Sequence, residues 1–280
     1  MKAVVRSLRI VPVVRCAATL IFSVFWGQSA VGEMLTIPGS GNPEFVLSEL
    51  ATAFNARQSE HRVVVPPSSG HAGAIRDVSD GVAAMGRVGR PLSRDEHARG
   101  LAYLPLGRDA VVVVAGAAVT AKDISSDQLA AVFAGRISNW RDLGGQTAPI
   151  RAIGKESSDA IRRQLPNRFK DLVYADSVKI VHLDPHLIDL LDRYPTSFSI
   201  VNRSALGACK TKVVLLALDG IEPSYGNLVS GRYPLSMEFG LVYRTGEMSA
   251  AGTAFVEFIH SPEGVGILRS HGVQATGGDK

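Results

Sequence analysis

Val63-Val64-Val65 leads into Pro67-Ser68-Ser69-Gly70-His71-Ala72-Gly73-Ala74-Ile75, and the segment then reads as helical through Ser79. A β-branched run, a turn of small residues and a helix start form a unit that aims backbone N–H groups at whatever sits above the turn. The positive end of the helix points the same way. Such a turn suits a small ligand carrying negative charge. Short Ser/Gly turns are common, so the weight falls on a second turn of the same design. Met34-Leu35-Thr36-Ile37 reads as a strand, Pro38-Gly39-Ser40-Gly41-Asn42 as a turn, and Pro43 as the opening of a helix with Val46, Leu47, Leu50 and Phe54 on its buried face. Strands alternating with helices argue for an α/β protein with a mostly parallel sheet. Ligands collect at the carboxyl ends of such strands, where both turns lie.

A third turn of this kind, Gly154-Lys155-Glu156-Ser157-Ser158-Asp159, follows a strand over 149–153 and opens a helix at Ala160. Between the second and third turns lies a compact Arg-marked segment, Met85-Gly86-Arg87-Val88-Gly89-Arg90-Pro91-Leu92, and a short helix started by Ser93. Two strands are then expected, one over Leu101 to Leu106 and one over Asp109 to Val114. The second is apolar and β-branched after its first residue, as a strand buried on both faces should be. Ser125 caps a helix with Leu129, Val132 and Phe133 inward. His182-Leu183-Asp184-Pro185-His186 reads as a surface loop. Its proline argues against a regular i,i+4 histidine pair, and no third metal ligand is near. Strands follow at 197–201, 213–217 and 234–243, and the last long helix is read over 251–260.

The 280 residues suffice for one large or two ordinary domains. Lys2, Arg6, Arg9 and Arg15, an uncharged run from Ala17 to Trp26, and Ala30-Val31-Gly32 have the form of a secretory signal spanning residues 1–32. The apolar run is short for a bilayer span. The chain carries 30 Lys+Arg and 26 Asp+Glu; removing the four basic residues of 1–32 leaves 26 of each. A neutral mature chain offers no broad basic field for nucleic acid or a membrane surface. Cys209 is the one cysteine left, which excludes an internal disulfide.

Three blocks resemble a known family. Phe133-Ala134-Gly135-Arg136-Ile137-Ser138-Asn139-Trp140-Arg141-Asp142-Leu143-Gly144-Gly145, Ser230-Gly231-Arg232-Tyr233-Pro234-Leu235 and Phe255 to Gly264 are similar, in order and spacing, to segments of the PstS-like phosphate-binding subunits of ABC transporters. The likeness runs from about Leu35 to Gly272. It implies a two-lobed periplasmic binding protein fold, with mixed, mostly parallel sheets joined by two crossing strands. Residues 33–110 and 226–280 would form one lobe and 111–225 the other. It also implies a monomer in the periplasm, a small anion such as phosphate held between the lobes, an ABC permease as partner, and neither cofactor nor metal.

The resemblance places the ligand on Gly39, Ser40, Gly41, Ser68, Ser69, Gly70, Arg87, Lys155, Ser157 and Asp159. It also exposes departures. Ala84 stands where the family has an aspartate, Val88 and Gly89 where it has two serines, Asp159 where it has a serine, and Ile161 where it has a threonine. An acid beside an anion costs roughly 1 to 4 kcal/mol near 4 Å, depending on the dielectric. Family-type phosphate binding is therefore expected to be weakened, and a zwitterion would suit Asp159 facing Arg87. A degenerate clamp acting in sensing or protein interaction is the alternative function. No Gly-x-Ser-x-Gly nucleophile motif points to an enzyme.

Overall fold

The computed structural model describes residues 32–169 and 172–276. The signal reading of residues 1–32 falls, apart from Gly32, outside them. The first half runs β1 (Glu33–Thr36), α1 (Glu44–Arg57), β2 (His61–Val64), α2 (Gly70–Ser79), β3 (Met85–Val88) and α3 (Arg94–Ala98). The long strand β4 (Leu101–Ala115) leads into β5 (Asp123–Ile124), α4 (Ser126–Phe133), β6 (Arg151–Lys155), α5 (Ala160–Arg168), β7 (Lys179–Val181), α6 (Asp184–Arg193), β8 (Ser197–Asn202), β9 (Val214–Leu218) and α7 (Tyr225–Val229). The chain returns along β10 (Ser236–Arg244) and ends in α8 (Ala250–His260), α9 (Pro262–Ser270) and β11 (Gln274–Ala275).

Two sheets meet on β4. On one side the order is β2, β1, β3, β10, β4, β11, with β1 and β3 joined through a parallel bridge between Gly39 and Arg87. On the other it is β7, β6, β8, β4, β9, β5. Pairings that avoid β4 and β10 are parallel, and every antiparallel pairing includes one of those two. The mixed character of the sheets thus comes from the two strands that cross between the halves, while the strand–turn–helix units stay parallel.

The cores follow the same partition. Leu35, Leu47, Leu106, Phe239 and Phe255 belong to one apolar cluster, and Val111, Phe133, Trp140, Phe198 and Met237 to another. Membership changes between Leu106 and Ala110 on β4, and between Met237 and Phe239 on β10. In α1 the expected inward residues Val46, Leu47, Leu50 and Phe54 are buried, and Phe54 meets Phe255 and Phe258 edge-on at 5.4 and 5.7 Å. Capping boxes start α3 at Ser93 with Glu96 and α4 at Ser125 with Gln128.

Three expectations are corrected. The two strands read over 101–106 and 109–114 are one strand of 15 residues. Gly107, within that strand, lies against β11, where a Cβ would fall 2.8 Å from the Gln274 carbonyl oxygen. The glycine serves close approach of backbones. The Arg-marked segment contains β3, all four of whose residues are buried. The loop read at 182–186 opens α6: Pro185 occupies the first turn, where its missing N–H costs nothing, and Leu187, Ile188, Leu190 and Leu191 form a buried stripe.

Candidate functional site

The first two turns are locked to one another. The Gly39 carbonyl accepts from the N–H groups of Ser69 and Gly70 at 3.0 and 3.1 Å and from the Ser68 hydroxyl at 3.1 Å. Beneath them, the Arg87 N–H donates to the Pro38 carbonyl and the Ser40 N–H to the Arg87 carbonyl. The Arg87 side chain is fully buried and donates to the carbonyls of Ile37, Ser40 and Pro66 and to the Glu44 carboxylate. The strand that carries Arg87 therefore pins both turns from the side away from solvent.

Above the turns lies a cleft of about 820 Å³. Ser40, Gly41, Ser68, Ser69 and Gly70 face it from one wall, Lys155 and Asp159 from the other. Helix α2 has no side-chain cap from Ser69, so its first-turn N–H groups at His71 and Ala72 stand at the open end of the helix beside the cleft. Ser40 is only 4 % exposed and lines the cleft. Hydroxyls, amides and a helix N-terminus make this wall a donor surface, suited to oxygen atoms that bear negative charge.

The opposite wall carries one buried cation between two acids. The Lys155 ammonium lies 2.8 Å from Asp184 Oδ1 and 3.6 Å from Asp159 Oδ2, and donates to the His182 carbonyl. Asp159 also caps α5, accepting from the N–H groups of Ile161 and Arg162. Burial raises the Asp159 carboxyl above the usual range against the pull of Lys155, and Asp184 pushes in the same direction as burial. Asp184 reaches the first turn: a Cβ on Gly41 would fall 2.9 Å from its Oδ2. At the rim, Glu96 binds Arg90 through both oxygens at 2.9 Å and takes His71 Nε2 at 3.2 Å. Burial works to raise the Glu96 carboxyl, but hydrogen bonds from Arg90 and the Ser93 N–H win and hold it at about 2. Burial lowers His71, with Arg90 adding to the effect.

Seven of the ten residues expected to hold ligand therefore line the cleft. Gly39, Arg87 and Ser157 do not. Gly39 is the hinge pin of the turns, Arg87 is spent on carbonyls and Glu44, and Ser157 points to solvent beside the exposed Ser158. The expected confrontation of Asp159 with Arg87 is corrected: Asp159 faces Lys155, because its capping role ties it to the start of α5. His71, Glu96, His182 and Asp184 were missed. Of these Asp184 had a legible signal, an acid just before a proline that opens a helix. His182 Nδ1 donates to the Glu156 carboxylate at 2.7 Å, and no group of three His, Cys, Asp or Glu able to hold a metal occurs among the described residues.

A sheet pair bridged by two strands, with a donor-lined cleft at the strand ends, defines a binding-protein architecture, and the chain belongs to the PBP superfamily domain family, whose pattern it matches over residues 27–263. It is similar to a phosphate-binding protein PstS of Bacillus subtilis, with 25% identity over 85% of this chain and 78% of that protein. Its fold is that of a putative phosphate ABC transporter substrate-binding protein from Clostridium perfringens, solved with bound phosphate, at TM-score 0.76 and 23% identity over 87% of this chain and 99% of that one. An ABC-type phosphate transport receptor from Vibrio cholerae shares the fold at TM-score 0.64 and 21% identity, covering 86% of this chain and 99% of that one.

Proposed function

We propose that this protein is the solute-binding subunit of an ABC transporter, acting in the periplasm, and that it holds a phosphate-type tetrahedral oxyanion in the cleft between two lobes without turning it over. The observation that carries this reading is the interlocked pair of turns, in which Gly39 fixes Ser68, Ser69 and Gly70 so that amides and hydroxyls converge on one side of the cleft. Ser40, only 4 % exposed, adds a hydroxyl-bearing side chain at the cleft. The similar proteins carry phosphate-binding names, which supports phosphate as the first ligand to test.

Of the three apolar clusters, the two largest support lobes that part near Leu106 to Ala110 on β4 and Met237 to Phe239 on β10. Hinge bending at two crossing strands is an established way to clamp a ligand. Two of the similar solved structures are transport components by name, which favours transport over the sensing alternative.

Titration calorimetry of the secreted form with inorganic phosphate should show saturable one-to-one binding, and small-angle scattering should show a more compact particle when it is bound. Absence of heat with phosphate, sulfate and a phosphonate alike would overturn the reading. Fractionation of the native host should recover the protein in the periplasmic fraction.

A further inference from the structure

We propose that the ligand of this cleft is an organic phosphate or phosphonate, a tetrahedral oxyanion carrying a short apolar substituent, and that the substituent enters a side pocket between α5 and the crossing strands. This rests on the oxyanion reading above and names its ligand class more narrowly.

The side pocket has a volume of about 230 Å³; Val111, Ile161, Leu165, Leu235 and Met237 line its apolar part, and Gln164, Arg168 and Ser236 add polar groups. Gln164 lines the cleft as well, so α5 presents residues to both spaces. All five apolar residues are buried. Ile161 lies two residues beyond Asp159, on the same turn that faces the donor wall. Where the PstS-like pattern has a threonine hydroxyl for the ligand, this chain puts a branched hydrocarbon beside an apolar hollow.

The polar wall argues in the same direction. Lys155 is already balanced by Asp159 and Asp184. Lys155 by itself therefore gives this wall little hold on a small, fully ionised oxyanion, and the wall's other cation, Arg163, is exposed to solvent. Apolar area supplies what the charge does not, and the main cleft is in the size range of sites that hold organic ligands rather than single ions.

Calorimetry with inorganic phosphate, methylphosphonate, propylphosphonate and butylphosphonate tests this. Affinity should rise along the alkyl series by about fourfold for each buried methylene. Gln164→Trp should flatten the series, so that propylphosphonate and butylphosphonate bind no more tightly than methylphosphonate. Ile161→Thr should weaken butylphosphonate more than phosphate. Phosphate binding with a flat or falling alkyl series would overturn this inference and leave the oxyanion reading standing. No binding of phosphate or of any phosphonate would overturn both.

Discussion

Lys155 and Asp184 form an ion pair of 2.8 Å in the cleft wall, and the same carboxylate reaches the first turn at Gly41. The acid thus lies beside the donors that an anion would use. With Asp159 on the other side of the ammonium, the trio carries a net negative charge when both acids are ionised. Asp184→Asn should raise phosphate affinity roughly tenfold, since a like charge near 4 Å costs about 1 to 4 kcal/mol depending on dielectric. Calorimetry at pH 7.5 reads this directly. Unchanged or weaker binding would show instead that Asp184 receives a proton from the ligand.

Arg87 is a tie-rod. Its guanidinium holds three backbone carbonyls and the Glu44 carboxylate with no exposure to solvent. Arg87→Met keeps bulk but abandons Glu44, whose carboxyl burial already raises above its ordinary range and Arg87 pulls back. Removing one member of a buried pair costs about 3 to 5 kcal/mol. Urea denaturation should show that loss. A variant that melts like the parent yet no longer binds phosphate would make Arg87 a ligand contact after all.

The sequence made the strand–turn–helix units legible because each is local: Val46, Leu50 and Phe54 repeat at helical spacing, and Ser68-Ser69-Gly70 is a turn by composition alone. Asp159 was legible as a residue but not as a role. Its capping of α5 and its pairing with Lys155 four residues earlier are local; what has no local mark is that Asp184, 25 residues further on, takes the other side of the same ammonium. Arg87 failed for the same reason in reverse. An arginine among glycines resembles a ligand contact until the carbonyls of Ile37, Ser40 and Pro66 are seen to surround it. The helix at Asp184–Arg193 hides in the sequence because a proline resembles a breaker until it is placed in the first turn, where Pro185 sits.

Two glycines of the paired turns should respond differently to alanine. Gly39 has φ +139°, and a Cβ there would overlap the Arg87 carbonyl oxygen. Gly70 has φ +76° but opens onto empty space. Gly70→Ala should therefore cost only the left-handed strain of about 1 to 2 kcal/mol. Gly39→Ala must also displace backbone of β3 and should cost at least about 3 kcal/mol. Equal losses in parallel urea titrations would contradict the interlocked geometry of the turns.

Asp109 sits fully buried on β4 and accepts from the Ser204 hydroxyl and N–H, yet burial outweighs these bonds and raises its carboxyl to about 7. Below that value the folded protein keeps a proton that the unfolded chain releases near the ordinary carboxyl range. Stability from this group should therefore be greatest in acid, fall as pH rises from about 4 to about 7, and level off above. A shift of about three pH units corresponds to a cost on the order of 4 kcal/mol at neutral pH. Asp109→Asn cannot ionise and should gain on the parent as pH rises from 4.5 to 8, whatever it loses at all pH values through altered hydrogen bonds to Ser204. Urea midpoints measured for both proteins across that range give the difference curve. A curve with no slope would mean that Asp109 ionises as readily in the fold as out of it, and that the β4 carboxylate is better solvated than its burial allows.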